Sequence, residues 1–239
     1  VPTLTLNYAE DRKTAAQNLF QLGLSPEDEA RQLAERAWLD GYNQALAITP
    51  QGAWGERVYT AFEEHWTSLG GAIIESKTYS ANDNDFSEPL KDLLNIDESN
   101  ERHKSLRQLL GEDIKFEPRR RKDTDFIFMA AFPRQARLIR PQLKFHYASS
   151  LPVYATSHVF TGKYDRHADR DIDGTIFCDM PWVLSSPNTD DTKREIIKLW
   201  PGLAEQYLRF YALGIDAYNI IPHLSYMSSY RYEHFVGET

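Results

Sequence analysis

From residue 45 to residue 79 the chain reads as strand, turn, helix and strand, an order that few folds accommodate. Residues 45–49 (ALAIT) form a compact apolar run suited to a buried strand, and residues 50–55 read as a turn carrying Gln51 and Trp54. Val58, Ala61, Phe62, His65, Trp66 and Leu69 then share one face of a helix that Gly70 and Gly71 close. Residues 73–79 alternate as a strand does. Two strands joined through a helix lie parallel, so repetition of this unit builds a mainly parallel sheet covered by helices. The expected fold class is α/β.

The helix before this unit is the most clearly signalled. Ser25 can accept hydrogen bonds from the first turn, Pro26 suits the first helical position, and Asp28 stands three residues after Ser25, as in a capping box. Glu27, Asp28 and Glu29 offset the helix dipole, which makes this end a poorer anion site than a bare terminus. Ala30, Leu33, Ala34, Ala37 and Trp38 form one apolar stripe, and Gly41 ends the helix.

The remaining elements follow the same logic. Leu4 and Leu6 lie in a short strand ending at Asn7 and Tyr8, followed by a polar connection over residues 10–17 and a second apolar segment at 19–24. Ser87 can cap a helix containing Leu90, Leu93 and Leu94, and Leu106, Leu109 and Leu110 resume helical spacing before Gly111. Residues 126–132 are the most hydrophobic run, and Pro133 opens a helix with Ala136, Ile139 and Leu143 on its ridge. Pro141 is expected to kink or divide that helix. Residues 151–155 form the next strand, with Thr156, Ser157 and His158 at its carboxyl end. An exposed acidic loop (165–174), an apolar strand (175–182), a linker (185–192) and an aromatic helix interrupted by Pro222 (203–225) complete the reading.

Composition narrows the functional classes. The 239 residues carry a formal charge of −8, which argues against general nucleic-acid binding. The single cysteine, Cys178, excludes an internal disulfide framework and a cysteine-based zinc site. No apolar run approaches the ~20 residues that span a bilayer. G-x-S-x-G, S-x-x-K and H-E-x-x-H motifs are absent, as is a glycine-rich phosphate loop. Ser157 and His158 are adjacent, and neighbours on a strand end point apart, whereas a nucleophile and its base must converge. Asp169, Asp171, Asp173 and Gly174 reproduce half of a calcium loop, but the twelfth position is Met180 and a strand follows, so no metal is expected.

Five segments in order, FQLGLSPEDEA (20–30), RRRKDTDFIFMAA (119–131), LPVYATS (151–157), DGTIFCDMPW (173–182) and YALGIDAY (211–218), resemble the LppC-type lipoprotein family. The resemblance implies a type I periplasmic-binding-protein-like fold: two Rossmann-like lobes with mainly parallel sheets, the first lobe incomplete in this chain. It implies that residues 1–22 are a remnant of the first lobe, 23–178 the second lobe, and 179–239 a return segment packing on the first. The chain is therefore expected to be a fragment, with an exposed aromatic face on its last long helix. By the same resemblance it is a non-enzymatic domain without cofactors that binds and stimulates a class A penicillin-binding protein. The full-length protein would be lipid-anchored at the periplasmic face of the bacterial outer membrane.

Ligands of open α/β sheets lie beyond the carboxyl ends of the strands, against helix N-termini. In the implied fold that rule nominates Asn7, Tyr8, Ser25, Gln51, Trp54, Arg134, Ser157, His158 and Asp179 as lining the cleft between lobes. Two readings stand: a receptor pocket for a small molecule or cell-wall fragment, and a vestigial cleft whose polar groups cap helices. Arg119, Arg120 and Arg121, followed by Lys122, are candidates for docking a partner, set against a solvated loop neutralised by Asp123 and Asp125.

Overall fold

The computed structural model describes residues 2–8, 18–111, 115–186, 190–230, 234–237 and 239. The polar connection expected at 10–17 lies outside them. The chain forms two compact units, one of Val1–Ser25, Thr161–Lys163 and Asp179–Thr239, the other of Pro26–Phe160 and Tyr164–Cys178.

In the first unit, β1 (Thr3–Thr5) pairs in parallel with β2 (Leu19–Gln21). The second unit runs α1 (Pro26–Leu39), β3 (Gln44–Pro50), α2 (Ala53–Ser68), β4 (Ala72–Tyr79), α3 (Ser87–Leu93), α4 (Ile96–Leu110), β5 (Phe126–Met129), α5 (Pro133–Leu143), β6 (Val153–Ala155) and β7 (Thr175–Phe177). Its five strands are all parallel in the order β4-β3-β5-β6-β7, so the chain reverses direction across the sheet between β3 and β5.

Both faces of this sheet are covered, which is why its strands are apolar without alternation. Leu46, Ile48, Ile127, Met129, Val153 and Ala155 pack with Leu90, Leu93, Ala136, Ile139 and Leu143 of α3 and α5. Ala45 and Ala47 face the other way, with Phe126, Phe128 and Tyr154, toward α1 and α2. The small alanines leave room for Phe62 to stack on Phe128 at 4.0 Å and for Trp66 to meet Phe126 edge-on at 5.2 Å. Gly55 lets the first turn of α2 close onto the end of β3, since a Cβ there would stand 1.9 Å from the Pro50 carbonyl oxygen.

The return segment of the first unit holds α6 (Pro181–Leu184), α7 (Asp191–Leu199), α8 (Leu203–Gln206), α9 (Leu208–Ile220) and α10 (Leu224–Ser229). Lys193 of α7, 2% exposed, donates from Nζ to the carbonyls of Trp182 (2.5 Å), Val183 (3.2 Å) and Ser185 (2.7 Å), closing the carboxyl end of α6.

Several expectations are corrected. Trp54 belongs to the first turn of α2 rather than to a turn. Ser87 is the first residue of α3; the side chain of Asp85 accepts its N–H at 2.9 Å, the bond that Ser87 was expected to make for others. Trp38 is 37% exposed, packed edge-on against Trp66, because it lies at the margin of the α1 stripe. Leu106, Leu109 and Leu110 are helical, as expected, and they are exposed, since α4 runs past the core that holds Ile96. Helix α5 continues through Pro141 to Leu143, and the non-helical angles come later, at His146 and Tyr147. Strand β7 stops at Phe177, leaving Trp182 in α6, and the linker ends at Asp190, which caps α7 by accepting the Lys193 N–H at 2.9 Å. The last aromatic helix is interrupted at Pro222, as expected, and also at Tyr207. Its buried side is Leu208, Ala212, Leu213 and Ala217, while Phe210 and Tyr218 are exposed.

Candidate functional site

In a doubly wound sheet the crevice opens where the strand order reverses, beyond the carboxyl ends of the strands. Here that point lies between the ends of β3 and β5. Gln51 and Gly52 leave β3 and turn into α2; Phe132 leaves β5 and Pro133 starts α5. Gly52, at φ +103°, makes the sharp entry into α2.

Three rings occupy this position. Trp54 packs 4.8 Å from Phe132 and 5.0 Å from His158, and Phe132 and His158 meet edge-on at 5.7 Å. Phe132 is 44% exposed, so the cluster presents an aromatic surface on the sheet's carboxyl edge. Sequence reasoning named Trp54 and His158 but missed Phe132. The signal was its place directly before a helix-opening proline on a strand beside the reversal.

Ser157 is 3% exposed and opens a single 3-10 turn, Ser157–Val159, instead of extending β6. Its backbone N–H and hydroxyl both donate to the Glu29 carboxylate, at 2.8 and 2.9 Å, and His158 Nδ1 stands 3.9 Å from the same group. The first-turn acid of α1, read as a dipole partner, thus holds the turn after β6. Ser157 Oγ donates to a carboxylate here, which is not the hydroxyl-to-imidazole bond of a nucleophile and its base.

The other nominated residues divide between the two units. Arg134 is turned to the loop after β4, where it donates to the Ala81 carbonyl at 3.4 Å and to the Asn84 side chain; Gln135 reaches the same carbonyl at 2.8 Å. In the first unit, the Asn7 side chain accepts the Tyr8 N–H at 2.9 Å, and the Tyr8 ring lies over the bare face of Gly23. Ser25 is 8% exposed. Asp179, its side chain 1% exposed, receives a forked pair of bonds from Arg209 at 3.0 and 2.5 Å and also accepts the Met180 N–H. That fork is spent inside the unit, and Arg209 was not foreseen.

The basic run 119–122 is less uniform than its composition. Arg121 Nε and Nη2 donate to Asp123 at 2.8 and 3.0 Å, and its side chain is 11% exposed. The bidentate contact raises the Arg121 pKa and lowers that of Asp123. Arg120 donates to the Arg121 carbonyl and to Ser150 Oγ, while Arg119 is exposed. Asp125 is engaged elsewhere, accepting the N–H groups of Asn43 and Gln44 at 2.9 Å each.

In the acidic loop, Asp169 is 6% exposed and faces inward, taking a bond from Arg137 at 2.8 Å and the Asp165 N–H at 2.8 Å. The half-motif for calcium is therefore split, with its first carboxylate committed to an arginine.

The family described as "LppC putative lipoprotein" matches residues 1–237. The penicillin-binding protein activator LpoA of Vibrio antiquarius is 29% identical over 230 residues, 95% of this chain and 37% of that protein. LpoA of Photobacterium profundum is 26% identical over 242 residues, covering 38% of its length. The chain thus spans well under half the length of these relatives. Among solved structures, the C-domain of LpoA (YraM) from Haemophilus influenzae, described as a regulator of PBP1A, superposes with a TM-score of 0.71 at 23% identity, over 99% of this chain and 64% of that one. The leucine-binding protein LivK of Thermotoga maritima superposes with a TM-score of 0.52 at 15% identity, over 90% of this chain and 53% of that one. The fold is that of the periplasmic binding proteins.

Proposed function

Because the chain belongs to the LppC lipoprotein family, we propose that it is a regulatory, non-enzymatic part of a penicillin-binding protein activator. Its partner is a class A penicillin-binding protein, met across the periplasm by a protein lipid-anchored in the outer membrane. The family match over residues 1–237 carries this reading, and relatives named as activators support it. The carboxyl edge of the sheet agrees with it. Trp54, Phe132 and His158 fill the position where a doubly wound sheet holds its ligand, and Ser157 is tied to Glu29.

An activator must bind the active arrangement of its synthase more tightly than the inactive one, or it shifts nothing. Arg119, exposed and beside the partly covered Arg120, is the part of the basic run suited to an acidic patch on that partner. The test is capture of purified class A synthases by the full-length protein, with transpeptidation measured on the complex. Binding with faster cross-linking is expected; neither binding nor stimulation would overturn the reading. Charge-removing replacement of Arg119 and Arg120 should weaken capture at low salt.

A second reading is a receptor for a small cell-wall fragment, favoured by the exposed ring of Phe132 beside Trp54 and His158 at the strand reversal. Calorimetric titration with muropeptides separates the two: saturable heat that disappears in Phe132→Ala supports the receptor, and no heat supports the activator alone.

A further inference from the structure

At the opposite edge of the second unit's sheet, hydrogen-bond donors outnumber acceptors. Arg140 lies one turn beyond Arg137 on the inner face of α5 and is only 4% exposed. Its Nε and Nη1 find no hydrogen-bond partner among the described residues; nor do Arg137 Nε and the buried hydroxyl of Thr175. The guanidinium sits under the loop that leads into β7, because a Cβ on Gly174 would lie 3.2 Å from Arg140 Nη2. Thr175 follows at once, opposite Val153 at the amino ends of β7 and β6. Arg137, Arg140, Gly174 and Thr175 therefore share one neighbourhood, away from the aromatic cluster.

The acid that Arg137 binds is already engaged. Asp169 binds Arg137 Nη2 and the Asp165 N–H, and among the described residues it takes no bond from Arg140. No ion pair joins Arg140 to an acid among the described residues, and burial alone pushes its pKa down. A buried cation without a counter-charge is strongly unfavourable, and so is a cluster of donors without an acceptor.

We propose that Arg140, Arg137 Nε and Thr175 Oγ1 hold one small inorganic anion of chloride size. Near-complete coverage of Arg140 limits the ligand to an ion that fits behind the surface, with no bulky organic part. The anion supplies the missing charge and lone pairs, and it fastens the end of α5 and the loop before β7 to the sheet. It is a structural ligand, separate from whatever the carboxyl edge recognises.

Thermal unfolding in sodium chloride and in sodium gluconate of equal ionic strength tests the proposal. A ligand bound only by the native state raises the midpoint by mass action, so chloride above its dissociation constant should add about 3 °C per tenfold increase and gluconate nothing. In Arg140→Met the response should vanish. Thr175→Val, which removes one donor and keeps the core, should weaken it and serves if the methionine variant does not fold. A crystal soaked in bromide should show anomalous scattering beside Arg140 Nε and Nη1. Equal midpoints in the two salts, or an undiminished chloride response in both variants, would overturn the proposal.

Discussion

Glu29 and Ser157 are 128 residues apart in the chain and share two hydrogen bonds, from the serine N–H at 2.8 Å and its hydroxyl at 2.9 Å. One carboxylate therefore ties the first turn of α1 to the turn that follows β6. Ser157 is buried, so both donors depend on partners inside the protein.

Removing that carboxylate is predicted to destabilise the second unit. Glu29→Ala should cost about 1–3 kcal/mol in urea unfolding, the range for stranding buried donors, and Glu29→Gln should cost less because its amide oxygen still accepts. Combined with Ser157→Ala, the losses should fall short of additive. Additive losses, or no loss in Glu29→Ala, would refute the link.

Lys193 offers a second test, in the first unit. Its ammonium closes three carbonyls, Trp182, Val183 and Ser185, and burial pushes its pKa down. Lys193→Met keeps the stem and removes the donors, and it should cost about 2–4 kcal/mol. Because the ring of Trp182 lies 5.6 Å from Nζ, its fluorescence reports the change directly. Unaltered fluorescence and stability would show that solvent replaces the lysine.

Gly55→Ala is expected to be poorly tolerated. The added methyl would meet the Pro50 carbonyl oxygen at 1.9 Å, a backbone atom that cannot rotate away. Moving α2 off β3 should cost about 1–3 kcal/mol and displace Trp54 from Phe132 and His158. Circular dichroism follows the stability, and tryptophan emission follows the displacement. Gly214→Ala, inside α9 where a Cβ would meet nothing within 4 Å, controls for replacing a helical glycine without a clash.

His146 makes stability depend on pH. Burial, and then the nearby Lys91 charge, hold its pKa below the ordinary 6.5, against the opposing pull of Asp85 and Asp97. The unfolded chain therefore takes up the proton first as the solution is acidified. Its contribution is intact above 6.5 and is lost as pH falls from there through the folded-state value. His146→Gln should reduce the slope of unfolding free energy between about pH 7 and pH 5 relative to the parent. Parallel slopes would exclude the histidine as the cause.

Local signals were legible wherever the chemistry acts within a few residues. Pro26 and Pro133 open helices, Ala30, Leu33, Ala34 and Ala37 bury one face, and the apolar runs at 45–49 and 126–132 hold central strands, the second ending at Met129. Helical periodicity identified Leu106, Leu109 and Leu110 as helical but could not say whether any core lay beneath them, because coverage is supplied by other segments. The candidate site shows the same division. The carboxyl ends of the strands were found by applying the open-sheet rule to the fold that the family resemblance implied, which brought Trp54, Ser157 and His158 into view.

The sequence by itself determined the α/β class, the parallel sense of the sheet and most of the core. Those follow from residue spacing and from the rule that a helix between two strands returns them in parallel. Only the tertiary structure decided which polar groups are already used. Glu29 meets Ser157, Arg209 meets Asp179, Lys193 meets three carbonyls, and among the described residues Arg140 meets no acid. Hydrogen bonds and charges act over a few ångströms in space, while their partners stand anywhere along the chain, so no window of sequence can match them.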